Sequence, residues 1–160
     1  MRSLFSFDES ILNFNSGTMS ATPKSVHLAC QKYSDEYNQA SALSFFTTWK
    51  KLWAIQKSLA EFLGASPFNL FLRENVTFAM NDFIMSLQLP EGSEILASDK
   101  ENGAIVNICK VKAANDKLKF RTFKLPIGEQ SHHETTLDQI LESIKNAISP
   151  NTSVLVLSHV

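Results

Sequence analysis

Residues 67–160 alternate between short apolar segments and amphipathic helical segments, and this alternation limits the folds open to the chain. The predicted strands and helices follow one another as Asn69–Leu72, Val76–Leu87, Glu94–Ala97, Asn102–Ala114, Leu118–Leu125, Thr136–Ile148 and Ser153–Leu157. Such an order favours right-handed βαβ crossovers and a helix-covered parallel sheet, an α/β fold of the type βαβαβαβ. The last strand, SVLVL, is a continuous apolar run typical of a central parallel strand.

Two further helices precede this region, so we divide the chain into an entry segment at 1–66 and an α/β part at 67–160. The first helix is predicted from Pro23 to Asn38 with Thr22 as its cap, and the second spans Phe45–Leu63 with Gly64 as its stop. The second helix carries an aromatic and aliphatic face, which helical spacing explains as core or subunit interface rather than a ligand site. Its members are Phe45, Trp49, Leu52, Trp53, Leu59, Ala60 and Leu63.

The composition of the chain argues against several classes of function. The 160 residues are 44% apolar and 19% charged with a net charge of −1, which is typical of a soluble globular protein and not of a disordered one. The sequence has no basic stripe that would indicate binding to nucleic acid or to an anionic membrane. It also has no apolar run long enough to span a bilayer. Asp8 and Glu9 interrupt the apolar core that a signal peptide needs. Cys30 and Cys109 form no CxxC pair, so we expect a reduced, cytoplasmic protein.

The stretch Leu70–Leu87 contains the best candidate for a binding site. A strand, the polar turn Arg73–Asn75 and a helix with Asn75 as N-cap place unpaired backbone N–H groups where an anion can bind. Thr77 in the first turn adds a hydroxyl. On the evidence of the corner alone, however, an ordinary βα corner with Asn75 as N-cap and no ligand is the favoured interpretation. No GxGxxG or GxxxxGK[ST] motif is present, which argues against the usual dinucleotide and P-loop sites.

Other polar residues have simpler explanations. The adjacent pair His132–His133 points to different sides, so a solvated loop is favoured over a metal site, and we predict no metal. Asp99 and Glu101 form a possible acid pair, but we expect them to cap the helix that begins near Asn102. We assign no catalytic residue.

Five segments, in consistent order, carry a resemblance to class V aminotransferases, which are pyridoxal-phosphate enzymes that include cysteine desulfurases and isopenicillin N epimerase-like proteins. Each resembles a block of that family. The segments are ILNFNSGTMSATPKSV at 11–26, LAEFLGASPFNLFLRENVTFAMNDFIMSL at 59–87, PEGSEIL at 90–96, DKENGA at 99–104, and ISPNT at 148–152 with the strand that follows.

The resemblance implies roles for individual residues. The family segment that matches Asn75, Val76 and Thr77 holds the phosphate of pyridoxal 5′-phosphate through backbone N–H groups and the Thr hydroxyl. The position that matches Asn102 usually carries a His or an aromatic residue that stacks on the pyridine ring, whereas Asn has no π face. The entry segment often lines the family's site, so Asn15 and Gly17 are candidates on the substrate side.

The resemblance also implies a larger assembly. The family's pyridine-pairing Asp and Schiff-base Lys follow the point that matches the end of this sequence, and no lysine here has the expected context. We therefore expect this chain to form the first part of a three-layer large domain, to lack the small domain, and to be inactive alone. The complete protein would act on an amino acid and form a homodimer, as in the family. The alternative is a non-catalytic α/β module used for binding or dimerisation.

Overall fold

The computed structural model describes residues 2–8, 10–17, 19–127 and 135–158. The chain separates into two compact units, Met1–Phe71 and Leu72–Val160, and each is described by itself. None of the helices in the described ranges is both long enough and apolar enough to cross a membrane.

The first unit contains a short 3-10 helix, Arg2–Leu4, and two α-helices, α1 (Lys24–Gln39) and α2 (Ser41–Leu63). Both predicted helices are therefore confirmed, although α1 begins one residue late because Pro23, and not Thr22, occupies the N-cap position. Gly64 ends α2 in the left-handed conformation, with φ 65°, which a glycine adopts without steric cost. Lys51 Nζ lies 2.9 Å from a carboxylate oxygen of Glu36 and joins α2 to α1.

Within the first unit, the aromatic face of α2 is largely exposed. Ala60 is the buried residue of the helix, whereas Phe45, Trp49 and Leu63 are more than half exposed. The prediction that this face forms a core or a subunit interface, and not a ligand site, stays a prediction.

The predicted strand Asn69–Leu72 is also wrong. Pro67–Asn69 forms a 3-10 turn capped by the Ser66 side chain, and residues 70–72 are extended without a strand partner. The amide of Gln56 on α2 explains this outcome, because its Nε2 donates to the carbonyl oxygens of Pro67, at 2.6 Å, and Leu70, at 2.8 Å. The Leu70 carbonyl, an acceptor in the predicted strand, is thus already bonded by a side chain.

The second unit is a parallel α/β sheet covered by helices. Its elements are α3 (Val76–Ser86), β1 (Glu94–Ser98), α4 (Gly103–Asn115), β2 (Lys119–Phe123), α5 (Leu137–Ala147) and β3 (Thr152–Val156). The sheet has the order β2-β1-β3 with both pairs parallel, which confirms the predicted α/β class. The prediction that SVLVL is central is wrong, because β1 lies in the middle and β3 at an edge of the described sheet.

Alternate residues of β1 separate the two faces of this sheet. Ile95 and Ala97 are buried with Ile84 of α3 and with Ile105 and Cys109 of α4. Leu96 points to the other face, where Phe123 and Leu125 meet the apolar side of α5. Helices therefore cover both faces, as a three-layer α/β/α sandwich requires.

Candidate functional site

The first turn of α3 presents hydrogen-bond donors to solvent. Asn75 is the N-cap, and its Oδ1 accepts from the backbone N–H of Phe78 at 3.1 Å. In the part of the chain that the structure describes, no group accepts from the N–H of Val76 or Thr77, which stand too early in the helix for intrahelical bonds. Both residues are exposed. Two backbone donors, a hydroxyl and the positive end of the helix dipole thus meet at one point.

The direction of α3 places this turn at the carboxyl edge of the sheet, although no strand precedes it. The helix ends at Ser86, and the chain then passes to Glu94 at the amino end of β1. Lys112 near the end of α4 donates to the carbonyl oxygens of Met85, at 3.1 Å, and Leu87, at 2.6 Å. The carboxyl ends of the two packed helices are therefore neighbours, and their amino ends both face the edge where the strands end.

Asn102 lies at the amino end of α4, at the end of the loop that follows β1. Its Oδ1 caps the helix by accepting from Ala104 N–H at 2.9 Å. The prediction that Asp99 and Glu101 cap α4 is wrong, because Asn102 caps it and both carboxylates bind elsewhere. A Cβ placed on Gly103 would meet no atom within 4 Å, so the space beside Asn102 is open.

Charged side chains surround the start of α3. Arg73 Nη1 lies 3.0 Å from Asp82 and its Nε lies 3.2 Å from Glu74. The guanidinium also lies over the ring of Phe78, 5.6 Å from its centroid. Arg73 is therefore held beside the first turn, where the carboxylates of Glu74 and Asp82 offset its charge.

The candidates on the substrate side lie in the first unit. Asn15 is exposed in a turn, where its N–H donates to Asn13 Oδ1 at 2.9 Å and its carbonyl accepts from Met19 N–H. Gly17 follows in the same turn, and a Cβ there would meet nothing within 4 Å. Their predicted role stays a prediction. Thr18, His132, His133 and His159 lie outside the described residues.

The donors at α3 fit the phosphate end of pyridoxal phosphate but the residue at α4 does not fit the ring. Backbone N–H groups with a Thr hydroxyl are the usual donors to a phosphate at a helix N-terminus. Asn102 offers an amide where a stacking ring would be needed, and its oxygen is already used by Ala104.

The chain is similar to known proteins. Residues 11–160 match the family described as aminotransferase class-V. The chain is 30% identical to isopenicillin N epimerase of Amycolatopsis lactamdurans over 99% of its own length and 39% of that protein. It is equally identical to isopenicillin N epimerase of Streptomyces clavuligerus, over 96% of this chain and 37% of the relative. The chain thus spans less than two fifths of these relatives.

Solved structures share the fold. A mutant of C-DES with glycine covalently linked to its PLP cofactor superposes with a TM-score of 0.77 at 21% identity, over 91% of this chain and 37% of that one. The cystine C-S lyase C-DES with its product cysteine persulfide gives 0.75 at 19% identity, over 89% of this chain and 36% of the other. The three-layer arrangement expected from the sequence is thus the fold of these proteins.

Proposed function

Because the chain belongs to the aminotransferase class-V family, we propose that it forms the phosphate-holding part of a pyridoxal-phosphate site in a protein that acts on an amino acid. The family match covers nearly the whole chain, whereas the chain covers under two fifths of its relatives. The reaction is accordingly assigned to the whole protein. The cofactor-phosphate role is assigned to this chain.

The observation that carries the proposal is the first turn of α3. Val76 and Thr77 offer two backbone N–H groups that no described residue uses, at the carboxyl edge of a parallel sheet. Ligands of open α/β folds bind at this edge. Asn75 fixes the turn by capping the helix, so the donors are held in place before a ligand arrives.

Each residue of the turn has a distinct role in the proposal. The N–H groups of Val76 and Thr77 and the Thr77 hydroxyl donate to phosphate oxygens, and the helix dipole favours the phosphate charge. Asn102 at the start of α4 would offer the cofactor an amide Nδ2 donor but no stacking face. When bound, pyridoxal phosphate supplies an electron sink for the bonds at the α-carbon of an amino acid.

The relatives suggest the reactions to test on the whole protein. Two relatives are named as epimerases and a structural neighbour as a C-S lyase, so epimerisation and desulfuration join transamination as candidates. We also propose that the whole protein is a cytoplasmic homodimer. Asn15 and Gly17 keep their proposed place on the substrate side.

A second candidate is a non-catalytic module that keeps the phosphate corner for binding. Asn102 favours it, because an amide gives the pyridine ring no platform. Under this hypothesis, the affinity of the chain for its ligand comes from the phosphate group alone.

The experiment measures binding of pyridoxamine 5′-phosphate to the chain by isothermal titration calorimetry. This compound has the ring and phosphate of the cofactor but no aldehyde, so it forms no adducts with surface lysines. We expect Thr77→Val to weaken binding about tenfold, the cost of a hydrogen bond to a charged group. Thr122→Val is the matched control, because Thr122 is exposed on β2.

Two comparisons separate the alternatives. Inorganic phosphate that binds as tightly as pyridoxamine 5′-phosphate would favour the non-catalytic module, because the ring would then contribute nothing. Equal affinities for wild type and Thr77→Val, or no binding of either compound, would contradict the assignment of the corner.

A further inference from the structure

The loop after the central strand holds the chain that leaves both neighbouring strands. Residues 99–102 connect β1 to α4 and contain two carboxylates, Asp99 and Glu101. We call Asp99, Glu101 and their partners the strand-exit clamp. The partners are Leu125 after β2 and Ser158 after β3, together with Ser98 at the end of β1.

Asp99 holds the exit of β2. Its Oδ1 accepts from the backbone N–H of Leu125 at 2.9 Å, and its own N–H donates to the carbonyl of Phe123 at 2.8 Å. Leu125 is itself buried under α5. One residue of the loop therefore fixes the chain that leaves β2 through two hydrogen bonds.

Glu101 holds the exit of β3, and its partner there is more distant in sequence than the partner of Asp99. Its Oε1 accepts from the backbone N–H of Ser158 at 2.8 Å, and its Oε2 accepts from the Ser158 hydroxyl at 2.6 Å. The hydroxyl of Ser98, which is buried, donates to the same Oε1 at 2.8 Å. Both carboxylate oxygens are thus engaged by residues that leave the two adjacent strands.

We propose that Asp99 and Glu101 are positioning residues, which fix the three strand exits and thereby hold Asn102 and the start of α4 at the cofactor edge. The inference rests on the proposed function for the meaning of that edge. Asn102 is the next residue after Glu101 and caps α4, so displacement of the loop moves Asn102 with it.

The test separates position from charge. A glutamine at 101 keeps one oxygen that can accept from Ser158 N–H and Ser98, and its amide nitrogen can donate to the Ser158 hydroxyl. We therefore expect Glu101→Ala to weaken pyridoxamine 5′-phosphate binding about tenfold, the size of a lost hydrogen bond to a charged group, and Glu101→Gln to restore it to within about twofold. Asp99→Ala and Asp99→Asn should behave in the same way. Glu91→Gln, at an exposed pair with Lys117, is the control.

Amide hydrogen exchange gives a readout that does not depend on the ligand. Glu101→Ala should reduce protection at Ser158 and leave Leu125 protected, and Asp99→Ala should do the reverse. Unchanged protection in these variants, or unchanged affinity despite lost protection, would overturn the inference, as would a Gln variant as weak as Ala. If the wild-type chain binds no pyridoxamine 5′-phosphate, the proposed function fails, and the exchange pattern alone decides whether the carboxylates hold the exits.

Discussion

Glu94 forms the main polar connection at the opposite, amino edge of the sheet, and its substitution should cost stability in a pH-dependent way. Its carboxylate accepts from Arg121 Nε at 2.8 Å and Nη2 at 2.9 Å, and from Thr152 Oγ1 at 2.6 Å. The hydrogen bonds from Arg121, and next the one from Thr152, lower the pKa of Glu94 from 4.5 to about 2. The Glu94 side chain is only 9% exposed.

The size of the effect follows from this lowered pKa. Each pH unit between the folded and unfolded pKa values is worth about 1.4 kcal/mol, so a fall from 4.5 to about 2 corresponds to about 3.5 kcal/mol at most. The Arg121 side chain is 41% exposed, and water screens such a pair, so we expect about 2 kcal/mol in practice. Because the folded pKa is the lower one, this stability is complete above about pH 6 and decreases as the pH falls towards 2.

The assay is urea unfolding of wild type and Glu94→Gln, followed by far-ultraviolet circular dichroism at several pH values. At pH 7 the variant should be about 2 kcal/mol less stable. At pH 3 the difference should be less than half as large, because wild-type folding then loses most of the carboxylate's contribution. Glu91→Gln should stay within about 0.5 kcal/mol of wild type, since Glu91 and Lys117 are both mostly exposed. A stability difference that is constant from pH 6 to pH 3 would refute the reasoning.

Two further predictions concern the carboxyl edge. Asn75→Ala removes the cap of α3 and should destabilise the chain by about 1 kcal/mol while also weakening pyridoxamine 5′-phosphate binding. Asn75→Ser should preserve both stability and affinity in the same unfolding and calorimetry measurements. A destabilised Asn75→Ala variant with unchanged affinity would show that the cap does not support the binding corner. Asn102→His supplies an aromatic face and should tighten binding of pyridoxamine 5′-phosphate but not of inorganic phosphate; equal changes for both ligands would show that the ring does not lie at this residue.

Local signals predict the helices of this chain well. The start of α3 follows from Asn75 and the apolar period after it, and the end of α2 follows from Gly64. The capping box of α5, in which Thr136 and Gln139 bond each other's backbone, is likewise a short-range pattern. These features involve residues within four positions of one another, so the sequence contains all that determines them.

The errors arise where the partner is distant in sequence. Leu70 resembles a strand residue, but its carbonyl is bound by Gln56, 14 residues earlier. Asp99 and Glu101 resemble caps, but their partners Leu125 and Ser158 are 26 and 57 residues later. Nothing in the local sequence indicates such pairs.

Distant partners also explain why the sequence did not indicate β1 as the central strand. SVLVL is the more apolar segment, whereas β1 begins with Glu94 and ends with Ser98, which look like surface residues. Both are buried, because Arg121 and Thr152 bond Glu94 and Glu101 bonds Ser98. A buried polar side chain needs such partners, and they become visible only in three dimensions.

We therefore expect the amino edge of the sheet to contribute to stability and the carboxyl edge to ligand binding. Glu94 and Arg121 join the amino ends of β1 and β2, far along the strands from α3's first turn, while Asp99 and Glu101 join the exits beside Asn102. A change at Glu94 should lower the free energy of unfolding but leave the affinity of the folded chain for pyridoxamine 5′-phosphate unchanged. A change at Glu101 should lower the affinity for pyridoxamine 5′-phosphate even under conditions where the variant is fully folded. If both changes altered affinity equally, the loss would reflect general destabilisation, and the carboxyl edge would have no special role in holding the ligand.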